Sequence, residues 1–331
     1  MRKFVKRILV IANVVFAILL LIANLSVFIS PEILWPIAFL GLVFFPLVLI
    51  NLGFYIFWFS KLKKVLFISL FVLIISIPNS FRTFQLSGAV ENQEKEDRTT
   101  KSIKVMTYNA KVFDLVGSNN FDTAQQRIFR YIREEEPDII CFQEFYINPD
   151  KGFSFYTLDD ELPDYLEYRN LHWLNEEGSS KYGIAIFSKF PVVNKGLVKF
   201  KESYNAFLFA DLTYRNDTFR VYSNHLQSIK FNRDNYRFIA NQSQYNQKEK
   251  LEEFQDISFR LKDAYIKRSL QARKLAHHIN ISPHPVIVCG DLNDTPVSYS
   301  YRIIRGRSRM HLLKQGRVLV IRMLENFLLT A

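Results

Sequence analysis

Val286-Ile287-Val288-Cys289-Gly290-Asp291-Leu292-Asn293-Asp294-Thr295-Pro296 is a short apolar run that breaks abruptly into a cluster of oxygen-bearing side chains. The run is too short for a helix, and Gly, Asp, Asn and Pro stop it, so it reads as a buried strand feeding a tight loop. Three further islands repeat the form: Thr107-Tyr108-Asn109, Phe142-Gln143-Glu144 and Ser223-Asn224-His225-Leu226. Each follows a predicted strand and ends it with side chains suited to a metal or a phosphate. Four strand ends of this kind, in one chain, read as a catalytic site.

Taken singly, each island has a plainer explanation. Asn109 suits a turn, Glu144 an exposed strand-end carboxylate, and His225 a surface or hydrogen-bonded histidine. The segment from Asp291 to Pro296 suits an Asx-type turn. Jointly these explanations weaken, because four unrelated turns have no reason to present complementary groups.

As bare chemistry, Asn109, Glu144, Asp291 and Asn293 are oxygen donors without an accompanying Cys/His cluster. That set suits a hard cation, Mg²⁺ or Mn²⁺, rather than Zn²⁺. Such an ion neutralises a phosphate ester and stabilises its leaving oxygen. His225 is placed to donate to a phosphate oxygen, and Asp291 beside Asn293 to position and deprotonate a water.

Outward from the islands, Ile103 to Asn109, Asp138 to Phe142, Ile184 to Phe187, Phe207 to Leu212, Phe219 to Ser223 and Val286 to Cys289 read as strands. The pair on either side of Tyr214-Arg215-Asn216-Asp217 is expected to form an antiparallel hairpin. Ala124, Ile128 and Ile132 mark a helix ended by Pro137, and Ile257 to Ile279 a long amphipathic one. The polar stretch from Asn232 to Glu253 reads as an excursion or an extra helix. This mixture predicts an α+β layered sandwich at 103–304, not a simple parallel doubly wound sheet.

The N-terminal 79 residues differ in kind. Ile8 to Ile29 and Ile33 to Phe59 are each long enough to span a bilayer, which takes about 20 residues. Val65 to Ile77 is a shorter third candidate, with Lys61, Lys63 and Lys64 able to snorkel. Basic residues sit before the first span (Arg2, Lys3, Lys6, Arg7) and after the second (Lys61, Lys63, Lys64). Both flanks favour the cytoplasm. Three spans then place the remainder outside the cytoplasm, and two keep it inside. Residues 80–102 turn polar and read as a linker.

Net charge is +11, yet residues 80–304 hold 30 basic and 30 acidic side chains. The excess lies in the anchor and in a basic tail at 305–331, so the body lacks a generic nucleic-acid footprint. Cys141 and Cys289 sit in apolar strands and read as buried small hydrophobes, with no disulfide expected between them.

Tyr108-Asn109, Gln143-Glu144, Tyr182-Gly183-Ile184-Ala185-Ile186-Phe187-Ser188-Lys189-Phe190-Pro191, Asn224-His225-Leu226 and Gly290-Asp291-Leu292-Asn293 together resemble the successive motifs of the endonuclease/exonuclease/phosphatase superfamily, the DNase-I-like fold. The resemblance runs from about Ile103 to Arg305. It implies a four-layer, two-sheet sandwich and Mg²⁺-dependent hydrolysis of a phosphate ester. It further implies that Asn109 and Glu144 bind the metal and that His225 contacts the scissile phosphate. Asp291 and Asn293 would orient the attacking water and the phosphate. The spans resemble those of membrane-tethered bacterial members, which implies an inner-membrane anchor and a catalytic domain in the periplasm.

The resemblance fails at the end of the chain. After Arg305 there is no second strand pair carrying an Asp and no Ser-Asp-His motif, and His311 stands in no matching context. The tail reads as a truncated or frame-shifted end, which would remove a phosphate donor and leave sheet edges unpaired. The leading expectation is a membrane-anchored phosphoesterase acting on a lipid head group, nucleic acid or small phosphate ester. The alternative is an impaired member that serves as a binding module.

Overall fold

The structure, a computed structural model, describes residues 2–83, 103–114, 121–200, 203–306, 314–315 and 318–323. These form two compact units. One draws on 1–88, 227–276 and 293–307, and the other on 89–226, 277–292 and 308–331. His311 and the linker after Thr83 lie outside the described residues.

The second unit carries two sheets. Its strands are β1 (Ile103–Asn109), β2 (Ile139–Ile147), β3 (Tyr168–Glu177), β4 (Ser180–Ser188), β5 (Val192–Lys199), β6 (Ala206–Tyr214), β7 (Asp217–His225), β8 (Val286–Asp291), β9 (Lys314–Gln315) and β10 (Val318–Met323). One sheet has the order β3-β4-β2-β1-β10-β9 and the other β5-β6-β7-β8. The β1–β2 and β7–β8 pairs are parallel, and the remaining pairs antiparallel.

The strand sequences explain the layering. β2 is apolar at successive positions because both its faces are covered. Ile139 and Cys141 face a core shared by the two sheets, with Val105 and Ile186 from the first and Leu208, Val221, Ile287 and Cys289 from the second. Ile140 and Phe142 face the opposite way, into an aromatic-rich core with Phe113, Phe129 and Phe153. Phe129 comes from α5 (Phe121–Glu135) and Leu158 from α6 (Phe155–Glu161), so helices cover that outer face. The α+β sandwich expected from the sequence is present. Cys141 and Cys289 are both buried free thiols.

The tail supplies what was expected to be missing at one edge. β10 pairs with β1 along its length, from Ile103 opposite Met323 to Tyr108 opposite Val318. β1 therefore has neighbours on both sides.

The first unit contains α1 (Arg2–Leu25), α2 (Pro31–Leu42), α3 (Phe44–Ser60), α4 (Leu66–Thr83), α7 (Arg233–Ala240), most of α8 (Gln247–Asn280) and α9 (Tyr299–Arg305). α1 and α4 are each long and apolar enough to cross a membrane. The run from Ile33 to Phe59, expected as one span, is instead α2 and α3, bent by 55° at Val43. Pro36 within α2 and the extended backbone of Leu34 contribute to its irregularity.

Polar pairs fix the directions of these helices. Ser69 Oγ donates to Asn13 Oδ1 at 2.6 Å, and further along both helices Asn24 Nδ2 donates to Ser76 Oγ at 2.8 Å. α1 and α4 are thus parallel. α3 runs the other way, with Asn51 Nδ2 donating to the Phe16 carbonyl at 3.0 Å while its preceding end lies at Ser26. Buried Asn and Ser contacts of this kind join helices where apolar surface alone gives no preference.

Candidate active site

The four islands arrive at the carboxyl ends of two parallel pairs. Register sets Asn109 opposite Gln143 across β1 and β2, and His225 opposite Asp291 across β7 and β8. Parallel register brings chemically useful side chains to one strand end only if the backbone turns them correctly.

Two backbone irregularities do this. Between Phe142, opposite Ala185, and Phe145, opposite Gly183, strand β2 spends two residues against one on β4. Glu144 is in that bulge with φ 50°, a left-handed conformation that re-aims its carboxylate. On β8, Gly290 has φ 139°, and a methyl group there would lie 2.1 Å from the Asn224 carbonyl oxygen. Only glycine lets β8 approach β7 so closely, and that approach seats Asp291 beside His225.

The side chains then converge. Asn109 Nδ2 donates to Asp291 Oδ2 at 2.9 Å and to Glu144 Oε1 at 3.2 Å. Its Oδ1 accepts from the Lys111 backbone N–H at 2.9 Å. Two carboxylate acceptors and one N–H donor fix which way the amide points. His225 Nε2 lies 3.5 Å from Glu144 Oε1, buried and without a hydrogen-bond partner. Tyr182 Oη is 3.5 Å from His225 Nδ1.

Burial controls the protonation of this group. It pushes the His225 imidazole below its ordinary value, against the pull of Glu144 and Asp291. Burial, together with Glu144 and Asp291, drives Tyr182 well up, so its hydroxyl stays protonated.

Behind the strand ends, Gln143 is buried and donates through Nε2 to Ser223 Oγ at 3.1 Å and to the Cys141 carbonyl at 3.1 Å. Asn224 donates to the Cys289 carbonyl. The Gln143–Ser223 bond joins the two sheets immediately beneath the converging side chains, while the Asn224–Cys289 bond ties β7 to β8 within one sheet. Sequence reasoning quoted Gln143, Tyr182 and Asn224 without giving them a task. Their signal was adjacency: each stands next to a candidate residue or at the start of a strand paired with the bulge.

Asn109, Glu144, His225 and Asp291 therefore come together within the second unit. Asn293, two residues after Asp291, has φ 50° and belongs to the first unit. There Asp294, its neighbour, forms a buried ion pair with Arg268 at 3.3 Å.

The donor chemistry fits a hard divalent ion. The carboxylates of Glu144 and Asp291 meet in a partly exposed position at Asn109, whose amide turns its nitrogen to them and its oxygen to the Lys111 N–H. Among the described residues no group of three or more His, Cys, Asp and Glu side chains is placed to hold a metal ion. An ion held here would keep waters in its shell, as Mg²⁺ does.

Comparison with known proteins follows this geometry. A DNA-(apurinic or apyrimidinic site) endonuclease of Dictyostelium discoideum is 25% identical over 107 residues, which are 32% of this chain and 26% of that enzyme. The chain thus matches about a quarter of that relative's length. Sphingomyelinase C from Streptomyces griseocarneus aligns at 20% identity with TM-score 0.42, over 62% of this chain and 69% of that one. The human Nocturnin catalytic domain aligns at 19% identity with TM-score 0.43, over 62% and 73%. Residues 6–84 match a domain of unknown function. Residues 106–329 match the family of endonucleases, exonucleases and phosphatases, about two thirds of the chain, and the protein belongs to that Endonuclease/Exonuclease/phosphatase family.

Proposed function

We propose that this protein is a membrane-anchored phosphoesterase, dependent on Mg²⁺ or Mn²⁺, that hydrolyses a phosphate ester by attack of water. The observation that carries the reading is the meeting of Asn109, His225 and Asp291, at the ends of β1, β7 and β8, with Glu144 in the bulge of β2. Glu144 would hold the divalent ion, and Asn109 would join it by turning its amide so that the oxygen replaces the nitrogen now facing the carboxylates. Bound there, the ion would supply charge neutralisation of the phosphate and of the leaving oxygen.

His225 donates to a phosphate oxygen. Burial keeps the imidazole neutral, so it carries one proton, and the Tyr182 hydroxyl facing Nδ1 favours placing that proton on Nε2. Nε2 is the nitrogen that faces Glu144 and lacks a partner. Asp291, with a carboxylate oxygen anchored by Asn109, accepts the proton of the attacking water.

The substrate class is a phosphate ester: a lipid head group, a nucleic acid or a small ester. Tethering to a bilayer favours a lipid head group, and the charge-neutral body disfavours long DNA. The basic residues at the ends of α1 and α3, with the parallel course of α1 and α4, support three crossings of a bacterial inner membrane and a periplasmic catalytic unit.

The test is metal dependence. The full chain in detergent should hydrolyse a chromogenic phosphodiester, lose that activity to a chelator and regain it with added Mg²⁺ or Mn²⁺. Hydrolysis that survives complete chelation would exclude the proposed chemistry. Metal binding without turnover on any phosphate ester would instead support a binding module.

A further inference from the structure

α2 is tied to polar groups at both its ends. At its start, Glu32 pairs with Arg273 at 2.7 Å and accepts from Ser269 at 2.8 Å, both on α8. At its end, a methyl group on Gly41 would lie 2.5 Å from Ser26 Oγ and 2.7 Å from the Val297 carbonyl oxygen. Ser26 Oγ itself donates to that carbonyl at 3.0 Å. Both ends of α2 thus touch polar atoms of the first unit, which suits a helix lying along a boundary and, on the membrane reading, leaves α3 as the return crossing. Its 17 residues give about 25 Å, enough when lysines snorkel.

α8 lies along α2. Lys262 is 5.9 Å from the Trp35 ring, and Tyr265 is edge-on to Phe39 at 6.2 Å. With Ser269 and Arg273, these residues define one stripe of α8. At about 3.6 residues per turn, that stripe continues toward the helix start through Leu251, with Phe254 and Phe259 on its flanks. They are 58%, 62% and 68% exposed. The opposite side is already taken: Asn235 of α7 donates to Glu253 at 3.0 Å and to Asp256 at 2.9 Å. The apolar stripe thus emerges from the side that meets α2, whose own Ile33 is 81% exposed.

We propose that α2 and the first half of α8 form a lipid-contacting platform, with Leu251, Phe254 and Phe259 seated in the head-group layer of the bilayer that holds the anchor. The inference rests on the reading that α1, α3 and α4 span a membrane. Its occupant is the bilayer, since the stripe continues a helix pair that lies at the membrane boundary and carries Trp35 there.

The test uses the full chain in nanodiscs of phosphatidylcholine with some phosphatidylglycerol, carrying an environment-sensitive dye on a single introduced cysteine. Phe254→Cys should be quenched by lipid spin-labelled near the head group at least roughly twofold more than Lys267→Cys on the opposite side. Ile18→Cys, on the exposed side of α1, reports insertion through a deep spin label. Quenching at Ile18 with none at Phe254 overturns the platform while leaving the anchor intact. Absence of quenching at both positions overturns the membrane reading and the platform with it. Shielding of the Phe254 dye without lipid quenching, and its loss in discs holding one copy, would assign the stripe to a second copy instead.

Discussion

Gly290 concentrates a structural and a chemical requirement in one residue. Its φ of 139° and the 2.1 Å approach to the Asn224 carbonyl leave no room for a side chain. Gly290→Ala should cost at least about 3 kcal/mol, since strain and backbone displacement add, and should displace Asp291 from Asn109. Thermal unfolding reads the first effect and phosphodiester hydrolysis the second; a variant unchanged in both would show the close approach to be dispensable. Cys141 behaves oppositely, as a group that is present but silent. Burial and the neighbouring Cys289 push its thiol well up, and Cys289 is itself buried out of reach, so a maleimide should modify neither in the folded chain. Mass spectrometry should find two adducts only after denaturation, and modification of the native protein would contradict the described core. At this scale the identities of Asn109, Glu144, His225 and Asp291 were legible, because strand ends advertise them. The left-handed backbone of Glu144 was not, because a bulge is fixed by pairing with β4 and leaves no local signature.

Among the elements, the hairpin of β6 and β7 shows how a buried charge is held. Arg220 donates to Asp211 at 2.6 and 2.8 Å, with Asn194 adding a bond at 2.9 Å and the guanidinium 4.4 Å from the Phe209 ring. Burial alone would raise the Asp211 carboxyl, but the bonds from Arg220 and Asn194 hold it below the usual value. Its contribution to stability is therefore full above the unfolded value of 3.8 and is lost as pH falls through the lower folded one. Asp211→Asn should cost about 3–5 kcal/mol at neutral pH by stranding a buried guanidinium, and should flatten the acid limb of a melting-temperature profile. An unchanged profile would remove the pair from the account. β1, β2, β4, β6, β7 and β8 were legible from their apolar runs, whereas β3 and β5 were not. Both lie at sheet edges, and their exposed or polar positions, such as Asn194, Lys195 and Gly196, blur the alternation. The break at Val43 was hidden for another reason: an apolar run looks the same whether its helix crosses a membrane or turns along it.

At the scale of the whole molecule, apolar N-terminal helices precede a two-sheet body of the Endonuclease/Exonuclease/phosphatase family, and each part makes its own demand. The anchor's direction predicts that a periplasm-only reporter fused after Gln93 is active, because three crossings leave that point outside; silence would return the chain to two crossings. The body was predictable because its motifs recur in a fixed chain order. The tail was not, since β10 found an edge on β1 without carrying the motif expected there. The central claim is that Asn109, Glu144, His225 and Asp291 form one hydrolytic site. The most direct measurement is the rate of Mg²⁺-supported phosphodiester hydrolysis by the full chain and by Glu144→Ala and Asp291→Ala, each with its unfolding temperature recorded. The account predicts losses of roughly 10²-fold or more in both variants, with folding retained. Hydrolysis at the parent rate in folded Glu144→Ala and Asp291→Ala would contradict it.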